Sequence, residues 1–79
     1  MSKKLVSLLA EVLSLPVEQI VPELKKEEVG SWDSLKQMDL VMSIEQKFGI
    51  SLEITDIIRM DSVKNIIDIL QEKGVEIGG

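Results

Sequence analysis

Side chains able to do chemistry are scarce in this chain. Its 79 residues include no histidine and no cysteine. That removes the usual general base near neutral pH, the commonest metal ligand, any thiolate nucleophile and any thiolate metal site. Hydroxyls and carboxylates remain. The stretch that sets one beside the other at the start of a long helical pattern is Gly30-Ser31-Trp32-Asp33-Ser34-Leu35. Serine alone is a poor nucleophile, and no histidine is present to activate it. Chemistry at Ser34 therefore has to be done to it by a second protein that brings the base. An enzyme ranks last among the functions this composition allows.

Local sequence gives Ser34 two readings. Ser34-x-x-Gln37 fits a capping box, in which the serine oxygen accepts from the backbone of the first helical turn. Asp33 fits the N-cap position equally well, which would leave the Ser34 hydroxyl free. Trp32 is expected partly exposed and packed on the loop before the helix, or shaping the space around Ser34.

The elements that position this stretch read as helices over about 3–15, 34–48, 54–60 and 62–73, in one domain spanning 1–79. Ser2 caps the first, whose Leu5, Val6, Leu8, Leu9, Val12 and Leu13 build one apolar face. Pro16 is expected to end it by disfavouring helical geometry in Leu15. A long connection then runs to Asp33, with a single turn over Val17–Ile20 and pinning by Ile20, Val21, Leu24 and Val29. Gly49 terminates the second helix. Asp61 or Ser62 caps the last, which stops near Gly74, and Val75–Gly79 reads as a frayed tail. The fold class is all-α: a small four-helix bundle of three main helices and one short one, with a long loop between the first two. With one Trp and one Phe, its core has to be aliphatic.

The second helix carries more apolar surface than one core contact needs. Leu40, Val41, Ile44 and Phe48, extended by Leu35, Met38 and Met42, cover roughly 220° of the helix against about 100° for a single buried stripe. Either this helix is contacted from two sides, or Leu35 and Met42, next to Asp39, stay exposed and meet partners. Methionine suits a surface that accepts several shapes.

The net charge of −5 is uneven: residues 1–32 carry four Lys and five Glu, residues 33–79 five Lys or Arg and nine Asp or Glu. An acidic surface argues against nucleic acid and for partners with basic patches. The longest apolar runs are three residues, as at Leu40-Val41-Met42, so neither a signal peptide nor membrane insertion is expected. The expectation is a cytoplasmic monomer.

Asp33-Ser34-Leu35, then Met38, Asp39-Leu40-Val41, Ile44-Glu45 and Phe48-Gly49-Ile50, resembles the phosphopantetheine-attachment region of acyl and peptidyl carrier proteins. Leu15-Pro16-Val17-Glu18-Gln19-Ile20 and Asp61-Ser62-Val63 are similar to that family's end of helix one and start of its last helix, so the likeness spans most of the chain. The resemblance implies that a phosphopantetheinyl transferase, using coenzyme A, esterifies Ser34 to 4′-phosphopantetheine. Asp33 would help that transferase position its magnesium ion. The arm's thiol would carry an acyl group as a thioester. Leu35, Asp39, Met42 and Glu45 would meet the enzymes that load and transfer acyl or aminoacyl groups. Ser31-Trp32 departs from the Leu-Gly pair of many fatty-acid carriers, and Lys36, Lys47 and Arg59 dilute the acidic face, which favours a dedicated carrier in a specialised pathway at least as well as one in fatty-acid synthesis. Two alternatives stand beside the acyl carrier: an aminoacyl or peptidyl carrier loaded by an adenylating enzyme, and a helical interaction module whose Ser34 is unmodified.

Overall fold

The computed structural model describes residues 1–77. It contains four α-helices: α1 (Lys3–Leu13), α2 (Ser34–Phe48), α3 (Ile54–Arg59) and α4 (Val63–Glu72), with short 3₁₀ turns over Val17–Gln19 and Lys26–Glu28. Among the described residues there is no β-strand, only an isolated bridge between Lys25 and Ser62. No helix among them is long and apolar enough to cross a membrane.

The aliphatic stripes make the core. Leu5, Leu9 and Leu13 of α1 meet Leu40 and Ile44 of α2 and Val63, Ile66, Ile69 and Leu70 of α4, with Met60 between α3 and α4; all are essentially inaccessible. Burying each such side chain contributes about 1.5–3 kcal/mol. In a domain this small, any one of them is a sizeable share of the total. At the far end of the bundle from Ser34, the start of α1 lies on the end of α2, with the Lys4 ammonium 5.2 Å from the Phe48 ring centre.

Helix α1 ends earlier than Pro16 would require. Ser14 turns into the left-handed region (φ 57°), and the Leu15 N–H closes back on the Ala10 carbonyl at 3.0 Å. The turn brings Leu15 against the core, where it is half-buried. Pro16 only begins the 3₁₀ turn that follows. At the other chain end, the tail is docked rather than frayed as far as it is described. Gly74 adopts φ 85°, the Val75 N–H donates to the Leu70 carbonyl at 2.9 Å, and Ile77 is 2% exposed. Gly78 and Gly79, the last of the expected frayed residues, lie outside the described residues.

The long connection is held by its backbone as much as by its apolar residues. Ile20 is buried and Leu24 and Val29 are half-buried, whereas Val21 points outward, 41% exposed. The carbonyls of Pro22 and Leu24 accept from the N–H groups of Lys64 and Val63, both at 3.0 Å, and the Lys26 N–H donates to the Asp61 carbonyl at 2.9 Å. The loop thereby satisfies first-turn donors of α4 that a helix cannot satisfy itself. Ser62 rather than Asp61 is the α4 cap, its hydroxyl oxygen accepting from the Asn65 N–H at 3.1 Å. The Ser31 hydroxyl donates to the Leu13 carbonyl at 2.7 Å, tying the end of the loop to the end of α1.

Six residues are too few to hold α3 together alone, and two ion pairs strap it to α4. Lys73 Nζ lies 2.8 Å from Asp56 Oδ2, and Arg59 meets Glu72 through two hydrogen bonds at 3.0 and 2.8 Å. The Lys73 ammonium, helped by the Glu53 N–H that Asp56 accepts at 3.0 Å, holds the Asp56 carboxyl below the usual carboxylate range, against the opposing effect of its burial. Lys73 is raised in turn, chiefly by its hydrogen bond to Asp56, and Arg59 lowers Glu72. Because these carboxylates bind protons less readily folded than unfolded, their stabilisation is complete above the ordinary carboxylate pKa of about 4 and disappears as pH falls through the lower folded-state values. The Lys73 contribution has the opposite sense: it is complete below the ordinary lysine value of about 10.4 and is lost as pH rises through the raised one. Asp56→Asn should therefore lower stability near neutral pH and lose less than the parent on acidification from about pH 5 to about pH 2. Urea unfolding followed by Trp32 emission across that range measures both effects.

Candidate functional site

Asp33, not Ser34, caps α2. Its backbone is extended (φ −98°, ψ −172°), its Oδ1 accepts from the Lys36 N–H at 2.9 Å, and its carbonyl accepts from the Gln37 N–H at 2.8 Å. Ser34 is the first helical residue, exposed, and its hydroxyl enters none of the side-chain hydrogen bonds among the described residues. The capping-box reading of Ser34 and Gln37 is therefore overturned: Asp33 occupies the cap, and Gln37 turns inward. The cap also settles which first-turn donors are used. With the N–H groups of Lys36 and Gln37 taken by Asp33, those of Ser34 and Leu35 have no partner within the helix. They sit at the positive end of a 15-residue helix, which suits an anion attached at this point. A phosphodiester on Ser34 thus fits the residues present, with the free hydroxyl as the point of linkage and two backbone donors beside it.

Trp32 is buried, 3% exposed, where partial exposure was expected. An indole with one N–H donor needs a partner once buried, and it finds the side chain of Gln37: Nε1 donates to Oε1 at 2.6 Å. Gln37 Nε2 donates to the carbonyls of Ile57 and Met60 at 3.1 and 3.0 Å. Gln37 is 7% exposed and has both amide hydrogens and its oxygen engaged. Sequence reasoning missed this role. The available signal was a polar residue three positions before Leu40, one turn back along the same stripe.

The apolar arc of α2 divides. Leu40, Val41 and Ile44 are buried and Phe48 is half-buried, while Leu35 (76% exposed), Met42 (57%) and Met38 (49%) face outward beside the exposed Asp39. Glu45 is half-buried and has a second duty, its Oε2 accepting from the Leu52 N–H at 2.8 Å, which pins the link after α2. The structure adds Ile54 and Ile58 of α3, 76% and 73% exposed, which the sequence left unassigned because a six-residue helix has too few turns to define a face. Among the described residues no group of three or more carboxylates is placed to hold a metal ion, so magnesium at Asp33 would need further ligands from elsewhere.

The family described as phosphopantetheine attachment site matches residues 3–70. The chain is 28% identical over 71 residues to the acyl carrier protein of Thermosynechococcus vestitus, covering 90% of this chain and 88% of that one. It is 30% identical over 70 residues to the acyl carrier protein of Thermotoga maritima, covering 89% and 86%. It is 30% identical over 71 residues to that of Buchnera aphidicola, covering 90% of each.

The division of roles between the two neighbours has a direct consequence. Asp33→Ala should cost about 1 kcal/mol through the lost cap. Ser34→Ala should change stability by no more than about 0.5 kcal/mol, as for an ordinary surface position. Urea unfolding of the two variants checks this, and an equal cost for both would return the cap to Ser34.

Proposed function

Because this chain belongs to the acyl carrier protein family, whose members are carriers and not enzymes and bear a covalent 4′-phosphopantetheine, we propose that Ser34 is the attachment point. On this reading the Ser34 oxygen displaces the adenosine bisphosphate half of coenzyme A from the pantetheine phosphate, giving a phosphodiester. A base on the transferase takes the hydroxyl proton. The attached group supplies a terminal thiol that holds the cargo as a thioester. The observation that carries the reading is the hydroxyl of Ser34, left exposed at a helix start by the Asp33 cap. Ser34 and Leu35 N–H groups steady the phosphate, and the oxygen of Asp33 not committed to the cap faces the transferase's magnesium.

Leu35, Asp39 and Met42, joined by Met38, Ile54 and Ile58, form the surface that the transferase and the acyl-handling enzymes meet. Exposed aliphatic and methionine side chains supply contact area, and Asp39 supplies charge to a basic partner. Glu45 contributes only the oxygen that Leu52 leaves free. Of the basic residues that dilute the acidic face, Arg59 is paired with Glu72 and Lys47 lines the groove between α2 and α1, while Lys36 stays on α2 beside Asp39. Relatives bearing the name acyl carrier protein favour an acyl over an aminoacyl cargo; fatty-acid, polyketide and other acyl pathways all use that chemistry.

Incubated with coenzyme A and a broad-specificity phosphopantetheinyl transferase, the protein should gain the mass of one phosphopantetheine, and Ser34→Ala should gain none. No gain under conditions that load a control carrier would defeat the reading. Offered acyl- and aminoacyl-adenylating enzymes, the loaded protein should form the acyl thioester. Asp39→Lys should raise the transferase KM at unchanged helical content, with the difference from the parent shrinking as salt screens the contact. A KM equal to the parent's removes Asp39 from the interface.

A further inference from the structure

A side-chain amide buried without partners costs several kcal/mol on transfer scales, so a glutamine in an aliphatic interior is kept only where its bonds are made. Gln37 makes them to two other parts of the chain. Its Oε1 takes the indole N–H of Trp32, two residues before Ser34, and its Nε2 holds the Ile57 and Met60 carbonyls at the end of α3. Carbonyls in a helix's last turn lack full intrahelical partners, so the amide acts as a side-chain cap for α3 reaching across from α2. The Ile57 carbonyl also accepts from the Met60 N–H at 3.1 Å, which closes the end of α3 around the Gln37 amide. Elsewhere α3 is held by the packing of Ile57 and Met60 on the core and by the Asp56–Lys73 and Arg59–Glu72 pairs. The six-residue helix that carries exposed Ile54 and Ile58 is therefore fixed relative to α2 by the same side chain that anchors the approach to Ser34.

We infer that Gln37 is a positioning residue: it holds α3 so that Ile54 and Ile58 meet a partner while Ser34 lies in that partner's cleft. The inference rests on the reading of Ser34 as the modified residue. It requires energetic coupling between a buried amide and an exposed isoleucine that do not touch a common ligand atom, and such coupling is measurable as non-additivity.

Gln37→Met keeps the length and removes the amide. In the intact chain, hydrogen exchange at the amides of Ile57, Ile58 and Met60 should rise by about tenfold or more relative to those of α1, as expected when two buried acceptors lose their donor. The transferase KM for the protein should rise about tenfold with kcat within about twofold, the pattern of lost binding rather than lost chemistry. Ile58→Ala should raise KM several-fold in the parent and by less than about twofold in the Gln37→Met background. A residue that merely stabilises the core would leave the two effects on KM additive, and additive effects overturn the inference. So does α3 exchange that rises no more than that of α1. If Gln37→Met fails to fold, Trp32→Phe, which removes the indole donor and part of the buried ring but keeps the Gln37 amide, carries the same cycle with Ile58→Ala, again non-additive if the inference holds and additive if it does not. A parent protein that is never loaded at Ser34 defeats the attachment reading instead, and the exchange measurement still decides whether Gln37 holds α3.

Discussion

An amide buried among aliphatic side chains has to find partners for its oxygen and both hydrogens. Gln37 finds them on Trp32 and on the Ile57 and Met60 carbonyls. Much of the geometry near Ser34 follows from that requirement. Trp32 can be buried because its single donor is satisfied, and the approach to Asp33 is thereby fixed. The end of α3 can be brought against α2 because its loose carbonyls are satisfied there. Each of these placements would leave an unpaired buried polar group without the others, so they stand or fall together.

The start of α2 shows how a helix end can leave a serine hydroxyl free. Four N–H groups at a helix start need acceptors. Asp33 serves that of Lys36 through its side chain, while its carbonyl accepts the first intrahelical bond, from Gln37. The N–H groups of Ser34 and Leu35 are left without a helical acceptor, beside a serine whose oxygen no cap consumes. A serine in the cap position would have its hydroxyl oxygen occupied by a backbone donor and would be a poorer target. The neighbouring carboxylate thus takes the capping work away from Ser34. With no cysteine in the chain, no side-chain thiol competes with the thiol of the attached arm.

The outer surface is organised by what the small core cannot absorb. An 11-residue α1 and a 10-residue α4 bury their stripes against α2, and this accounts for Leu40, Val41 and Ile44. It leaves Leu35, Met38 and Met42 outside. Helix α3, held edge-on by ion pairs and the Gln37 amide, leaves Ile54 and Ile58 outside as well. These exposed side chains sit on the two helices that the buried amide joins.

Sequence by itself determined the features that local rules govern. The 3.6-residue periodicity located the three longer helices, the Gly49 stop and the Ser2 cap followed from residue type, and composition ranked an unaided active site last. The Asp-Ser-Leu triplet with its spaced downstream residues pointed to the family. Tertiary structure alone decided whatever depends on how distant segments meet. Asp33 and Ser34 are equally good caps by type, and the choice between them falls with the burial of Trp32 and the inward turn of Gln37. The partners of Gln37 in α3 lie 20 and 23 residues away, beyond the reach of any local pattern. The exposure of Ile54 and Ile58, the outward turn of Val21, the docking of Ile77, the second duty of Glu45 and the left-handed Ser14 that ends α1 before Pro16 share that cause. Periodicity says which residues lie on one side of a helix; only the path of the loops says which sides are covered.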